Sequence, residues 1–251
     1  MSEFLHTFKC GHTVKCEYIK PTAEKTQRFT IVYAHGFCSD PYGRKPEEVK
    51  KWCEEHKMGF FRYEIAGHGS DIGRFAETTL NTYKDQIFEI IEDMVEGNIV
   101  TAGSSLGGWL GLLAACAFPQ KVCGFIGLAA APDFLKTYFI NLLNSEYKEK
   151  LDKFGKIEFP TKDFTYTITQ KMIDSADGNL LLDKESIPFR GKVRLLQGMK
   201  DASLDWRTAL KIAEKTESED VSIRLQKSSN HRLGSDEDIL ALRQLLDDFL
   251  V

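Results

Sequence analysis

The sequence predicts an α/β fold, a mostly parallel central sheet with helices on both faces. Three observations carry that expectation. Short apolar, β-branched runs alternate with longer stretches of helical spacing along most of the chain, the signature of βαβ units. One run, Asn98–Gly103, passes through Gly103-Ser104-Ser105-Leu106-Gly107 directly into an apolar helical stretch, a G-x-S-x-G turn in its strand-to-helix setting. At 251 residues the chain has the length of one large domain, taken as 1–251.

The elements follow in order. Glu3–Lys9 and Thr13–Ile19 read as a hairpin through Cys10-Gly11-His12. Phe29–Ala34 is a short apolar strand, and Pro46–Lys57 a helix with Val49, Trp52 and Cys53 on one face. Gly59–Ile65 is the next strand. Thr82–Glu96 is an amphipathic helix that turns Ile87, Ile90, Ile91 and Met94 inward. Asn98–Gly103 and Leu106–Ala117 flank the Ser105 turn, and Val122–Ala129 is a further buried strand. The alternation then breaks. Residues 132–188 are rich in Lys, Asp, Tyr, Phe and Thr and read as an insertion, helical over Phe134–Asn144, that caps the sheet where its strands end. Val193–Gln197, Ser203–Lys215, Val221–Leu225 and Glu237–Leu250 complete the pattern as strand, helix, strand and helix.

Composition narrows the function classes. A net charge of −4 with well-mixed charges disfavours nucleic acid as the main partner. The N-terminus, MSEFLHTFKC, meets an acidic residue at once and has no apolar core of signal-peptide length. The most apolar stretch, Leu106 to Phe118, is too short to span a membrane and stops at Pro119. Six scattered cysteines without a CxxC pair suit reduced thiols. A soluble, cytoplasmic protein without stable membrane insertion is expected. His6, Cys10, His12 and Cys16 match none of the established zinc spacings, and alternation around the Gly11 turn explains them, so no metal is expected. Gly67-His68-Gly69 with Gly73 has the wrong third glycine for a dinucleotide fingerprint, and no cofactor is expected either.

The Ser105 turn sets a hydroxyl at a helix N-terminus, where free N–H groups favour developing negative charge. Serine needs a base, usually histidine. Of the six histidines, His35, His68 and His231 directly follow strands, at the sheet edge where ligands bind in open α/β folds. Only His231 follows Ser105, and the order nucleophile, acid, histidine goes with this turn. His35 and His68 are assigned to loop shaping. The acid should follow a strand between the two; Leu196-Gln197-Gly198-Met199-Lys200-Asp201 supplies Asp201, with Asp205 as the competitor. Two amides would hold an oxyanion: that of Leu106, after the nucleophile, and that of Phe37, in the loop after Phe29–Ala34.

With these residues in place the chain resembles the α/β-hydrolase superfamily over nearly its full length. Within it, the resemblance is to the mitochondrial palmitoyl-protein thioesterase and acyl-glucuronide esterase group and its bacterial relatives. It is carried by Gly103-Ser104-Ser105-Leu106-Gly107-Gly108-Trp109-Leu110, by Leu195-Leu196-Gln197-Gly198-Met199-Lys200-Asp201 and by Asn230-His231-Arg232. Phe159-Pro160-Thr161-Lys162 and Ser186-Ile187-Pro188 are similar as well. The resemblance implies a nucleophile at Ser105, an acid at Asp201, a base at His231, and hydrolysis of fatty acyl thioesters or esters. Three positions depart from it: Gln197 stands where relatives carry His, Asp205-Trp206 where they carry Pro-Trp, and Glu64 where Asp is common.

The expected reaction is serine ester or thioester hydrolysis through an acyl-enzyme on Ser105. The partner is a small-molecule or lipid acyl substrate, acylated protein included, and Phe134, Tyr138 and Phe139 are candidates to line an acyl pocket. A peptidase or C–C bond hydrolase of the same fold is the alternative, with a non-catalytic ligand-binding protein behind it.

Overall fold

The computed structural model describes residues 2–24, 28–161 and 164–250. Its strands are β1 (Ser2–Thr7), β2 (Thr13–Ile19), β3 (Phe29–Ala34), β4 (Gly59–Tyr63), β5 (Asn98–Ser104), β6 (Val122–Leu128), β7 (Lys156–Pro160), β8 (Thr165–Thr169), β9 (Lys192–Gly198) and β10 (Val221–Gln226). Its α-helices are α1 (Arg44–Glu55), α2 (Leu80–Glu89), α3 (Leu106–Ala117), α4 (Ile140–Leu142), α5 (Ser145–Phe154), α6 (Gln170–Asp174), α7 (Thr208–Lys215) and α8 (Asp236–Asp247).

Eight strands form one sheet in the order β1-β2-β4-β3-β5-β6-β9-β10. The β1–β2 and β2–β4 pairs are antiparallel, and the rest of the sheet is parallel. This is the α/β-hydrolase architecture. Helices α2 and α3 cover one face, and α1 and α8 the other. The strands are apolar because both faces are covered: every residue of β3 and β4 is buried. Arg62 in β4 is charged and still buried, its guanidinium paired with Glu17 at 2.6 Å and Glu47 at 2.5 Å. Among the described residues, no helix is long and apolar enough to cross a membrane.

Register decides where function can sit. Ala34 pairs with Gly103, Ser104 with Leu128, Leu128 with Leu196, and Gly198 with Gln226. The carboxyl ends of β3, β5, β6, β9 and β10 are therefore nearly level, and the loops after them share one rim. The strand order reverses between β3 and β5, which opens the crevice of a topological switch point there.

Several boundaries differ from those expected. Helix α2 begins at Leu80, two residues early, because Thr79 forms a capping box with Thr82. It then widens into an i→i+5 turn over Ile90–Met94. The stretch expected to start a helix at Ser203 is a turn built on Asp201, and α7 starts only at Thr208. Gly69–Glu77 forms a 310 segment that no periodicity announced.

The largest correction concerns the residues between β6 and β9. The expected helix Phe134–Asn144 is present, as a π-helical stretch over Leu135–Phe139 that runs straight into α4, but it stops at Leu143, short of Asn144. Asn144 does not end a helix; its side chain accepts from the Tyr147 amide at 2.9 Å and so begins α5. The stretch expected to lack strands contains an antiparallel hairpin, β7–β8, with Ile157, Tyr166 and Ile168 buried. Lys162 of the Phe159-Pro160-Thr161-Lys162 motif lies outside the described residues.

This segment is tied down at its return. Asp133, in a left-handed conformation at φ 64, accepts from the Leu181 and Leu182 amides at 2.8 and 2.7 Å. The Trp109 indole donates to the Asn179 carbonyl at 3.0 Å. Burial raises the Asp133 carboxyl pKa, and the amides of Leu181, Leu182 and Asp183 only partly offset it. Replacing Asp133 by Ala strands two buried amides and strains the backbone, so denaturant unfolding is expected to show a loss of roughly 2–4 kcal/mol. Asp133→Asn tolerates the left-handed backbone and keeps one acceptor, and should lose clearly less.

Candidate active site

The site begins with a backbone that has no room to be otherwise. A Cβ on Gly107 would stand 2.0 Å from the Ala34 carbonyl oxygen, and one on Gly103 2.2 Å from the Gly107 carbonyl carbon. With glycine at both places, α3 starts directly against the ends of β3 and β5. The residue between must take up the whole reversal, and Ser105 does so at φ 53, ψ −113. This is strained for any residue with a Cβ. Three backbone bonds hold it: the Ser105 amide donates to Leu128 O at 3.0 Å, and Ser105 O accepts from the Trp109 and Ala131 amides at 3.2 and 3.1 Å. Below it, Tyr33 and Ser104 join hydroxyls at 2.8 Å. The Ser105 side chain is left partly exposed at the N-terminus of α3, with no hydrogen bond among the described residues.

The loop after β3 lies beside it. A Cβ on Gly36 would be 3.6 Å from Ser105 Cβ and 3.5 Å from Ser104 O, so the Gly36-Phe37 peptide borders the Ser105 side chain. Two buried histidines lock this loop to the one after β4. His35 accepts from the Ile65 amide at 2.9 Å through Nε2 and faces the Gly36 carbonyl at 2.8 Å through Nδ1. His68 accepts from the Cys38 amide at 3.1 Å and faces the Ala66 carbonyl at 3.1 Å. Each ring has one nitrogen accepting and the other donating, the pattern of a neutral imidazole. Burial lowers the His35 pKa to about 3, with His68 alongside adding to the effect; burial likewise lowers His68 to about 4. Their loop-shaping role is the one expected from the sequence.

Across the rim, His231 Nδ1 meets Asp201 Oδ2 at 2.7 Å. The Asp201 side chain has no solvent exposure, while that of His231 keeps 27%. Burial by itself would raise the Asp201 carboxyl. The hydrogen bond and charge of His231, with bonds from the Ser203 amide and Gln197, outweigh it and hold the pKa below the ordinary carboxylate value. Asp205 turns elsewhere: its carboxylate accepts from the Arg207 amide at 3.0 Å, and its own amide donates to the Tyr138 hydroxyl at 2.8 Å.

The loop that carries His231 is gripped by residues the sequence did not single out. Arg44 donates to the Gly234 carbonyl at 2.5 Å, and Lys45 Nζ to that of Arg232. Both lie at the start of α1, nearly two hundred positions away, and nothing in their local pattern marks them. Leu233, buried with φ 47, makes the turn between the two carbonyls. The cysteine and histidine residues of the leading hairpin go separate ways: His6 Nε2 meets Glu89 at 2.9 Å, and His12 Nδ1 meets Asp71 at 2.5 Å in the interior. Among the described residues, no group of three or more His, Cys, Asp or Glu is placed to hold a metal ion.

The sequence and fold are similar to those of known proteins. Residues 30–238 match the family described as "Uncharacterised protein family (UPF0227)". The mitochondrial palmitoyl-protein thioesterase ABHD10 of Bos taurus is 35% identical over 223 residues, which cover 88% of this chain and 72% of that one. The solved structure of alpha/beta hydrolase domain-containing protein 10 from mouse superposes with a TM-score of 0.86 at 31% identity, covering 100% of this chain and 98% of that chain. A putative hydrolase from Agrobacterium vitis S4 shares the fold at a TM-score of 0.90 and 22% identity, with both chains covered in full. The chain belongs to this α/β-hydrolase family and is a serine hydrolase.

The two buried histidines make stability depend on pH. Unfolding releases imidazoles of ordinary pKa, 6.5, from sites where they stay neutral down to about 4. Between those values the unfolded chain binds more protons, so stability falls as pH drops. Denaturant unfolding at pH 5 is expected to show a loss on the order of 2 kcal/mol or more relative to pH 7. His35→Gln, less stable at pH 7, should have the shallower slope.

Proposed function

We propose that this hydrolase cleaves acyl thioesters and carboxylic esters, fatty acylated protein included, with Ser105 as nucleophile, His231 as base and Asp201 as the residue that orients the base. The observation that carries this reading is the 2.7 Å pair of His231 Nδ1 and Asp201 Oδ2, set on the same rim as the strained Ser105 turn. A carboxylate on Nδ1 places the proton there and leaves Nε2 free to accept. His231 then takes the Ser105 proton as the hydroxyl attacks the acyl carbon. The Leu106 and Phe37 amides hold the oxyanion, a role supported by the α3 N-terminus and by the approach of Gly36 to Ser105. The imidazolium protonates the leaving thiolate or alkoxide, and an acyl-enzyme forms. Water activated by His231 releases the acid. In this reading the hydrogen bond from Ser105 to Nε2 forms as substrate binds, since hydrogen bonds of catalytic pairs are often long or absent without it.

The substrate class rests on two supports. The matched curated relatives are named palmitoyl-protein thioesterases. Residues 132–188 act as a cap, and their rings continue from the loop beside Ser105: Phe37 packs on Phe134 at 5.5 Å and on Phe139 at 6.4 Å, and Phe139 on Phe159 at 5.6 Å. Such a wall suits an acyl chain better than a peptide, whose backbone polar groups it would leave unpaired. The six free thiols suit a reducing compartment, the cytoplasm by the reading of the sequence; the matched curated relatives are mitochondrial by name.

Ser105→Ala is expected to keep the fold and melting temperature while kcat on an acyl thioester falls by roughly 10⁴-fold or more. Asp201→Asn should cost roughly 10³–10⁴-fold, and Asp205→Asn less than about tenfold. Equal losses at the two positions would refute the choice of acid.

A further inference from the structure

Gln197 stands one residue before the end of β9 and is 1% exposed. It lies on the same face of the strand as Val193 and Leu195, which belong to the apolar core. A primary amide in such a place is costly unless bonded. Its Nε2 donates to the Gly198 carbonyl at 3.2 Å and to Asp201 Oδ2 at 3.0 Å. Both partners are acceptors, so the amide nitrogen, not the oxygen, must face them.

The oxygen it chooses matters. Asp201 Oδ1 is occupied by the Ser203 and Leu204 amides, at 2.8 and 2.9 Å. Oδ2 is the atom that His231 Nδ1 meets at 2.7 Å. One carboxylate oxygen thus serves the backbone, and the other is shared between Gln197 and His231. We propose that Gln197 is a positioning residue of the catalytic group, acting through Asp201 Oδ2: its NH₂ fixes the rotation of the carboxylate and draws off part of the negative charge that His231 would otherwise feel. The inference rests on the roles given above to Asp201 and His231.

The chemistry follows from sharing an acceptor. A second donor on Oδ2 weakens its hold on the Nδ1 proton and stabilises the imidazolium less, so His231 is free as a base at lower pH. Without that donor the carboxylate charge falls on the imidazolium alone, and the base stays protonated to higher pH. Glutamine is uncharged throughout, so its contribution is constant with pH. Other charged groups near the pair are engaged elsewhere. Lys45 of α1 donates to the Arg232 carbonyl, Asp238 of α8 meets Ser229 at 2.5 Å, and Asp205 pairs with Arg207 at 3.5 Å. Lys227 and Arg232 on the histidine loop and Lys200 beside Asp201 are the remaining charged side chains of the two loops.

The test compares wild type, Gln197→Met and Gln197→His for kcat, KM and the pH profile of kcat/KM on a p-nitrophenyl acyl ester. Methionine keeps the volume and removes the donor. The expected result is an acid limb moved up by about half to one pH unit and a plateau kcat lowered roughly three- to tenfold, with KM changed less than about twofold. Gln197→His, which keeps an N–H within reach of Oδ2, should bring the limb back most of the way. A Gln197→Met profile that superimposes on wild type overturns the inference. A second measurement does not depend on any variant folding. In the wild-type chain the ¹⁵N side-chain amide resonance of Gln197 should shift with the same midpoint as the His231 imidazole, and a resonance indifferent to that titration overturns the inference equally. The two readings fail separately. Turnover that survives Ser105→Ala removes the catalytic assignment itself, whereas an unmoved limb in Gln197→Met, with turnover still lost in the separate Ser105→Ala variant, removes only the role of Gln197.

Discussion

The structure depends on how closely the start of α3 approaches the end of β3. At Gly107 the distance leaves no space for even one methyl group, since a Cβ would overlap the Ala34 and His35 carbonyl oxygens. That contact forces the chain to reverse within one residue, and the residue is Ser105, at a φ that side chains rarely accept. The same approach brings the Gly36-Phe37 loop against the serine. The serine sits at a helix N-terminus with the Gly36-Phe37 loop beside it because the backbones are too close to do anything else.

Strain of this kind persists only where the surroundings over-determine it. Here the bracing comes from far along the chain. His35 and His68 tie two loops together from the interior, and they can do so only as neutral rings. Leu128 and Ala131, on either side of a second left-handed turn at Ala129, bond the Ser105 backbone. Further left-handed residues lie at Cys38, Asp133 and Leu233, each in a loop at this rim. The concentration of unfavourable backbone at one edge, over a sheet with one register shift, between Ile99 and Val100 at the opposite end of β5, marks the edge as the place where packing energy is converted into geometry.

The histidine side of the rim is held differently, by charge and carbonyl contacts rather than by close packing. The loop with His231 is exposed enough to move, and α1 clamps it through Arg44 and Lys45. Burial lowers the Lys45 pKa to about 8 against the pull of Asp238, so the clamp is a weaker cation than its type suggests. The acid beneath is the rigid member. Asp201 is closed off from water and saturated by four donors, whereas Asp205 points to the surface.

By itself the sequence determined the strand-and-helix order, because burial on two faces writes an apolar run that periodicity can detect. It also determined the Ser105 turn, since glycines at fixed offsets record a local steric demand. The choice of His231 over His35 and His68 came from chain order, and the preference for Asp201 over Asp205 from a glycine turn after an apolar strand. The β7–β8 hairpin is not legible from the strand-and-helix order although Thr165-Tyr166-Thr167-Ile168-Thr169 is strongly β-forming, because it belongs to no βα alternation. Asn144 caps the start of α5, yet in sequence it directly follows the preceding helical stretch, and only its bond to the Tyr147 amide decides which helix it serves. Tertiary structure alone decided that Arg44 and Lys45 bond the loop of His231 and that Gln197 bonds Asp201. Their contacts depend on strand register and on loops closing over long separations, and neither leaves a periodic or local mark in the chain.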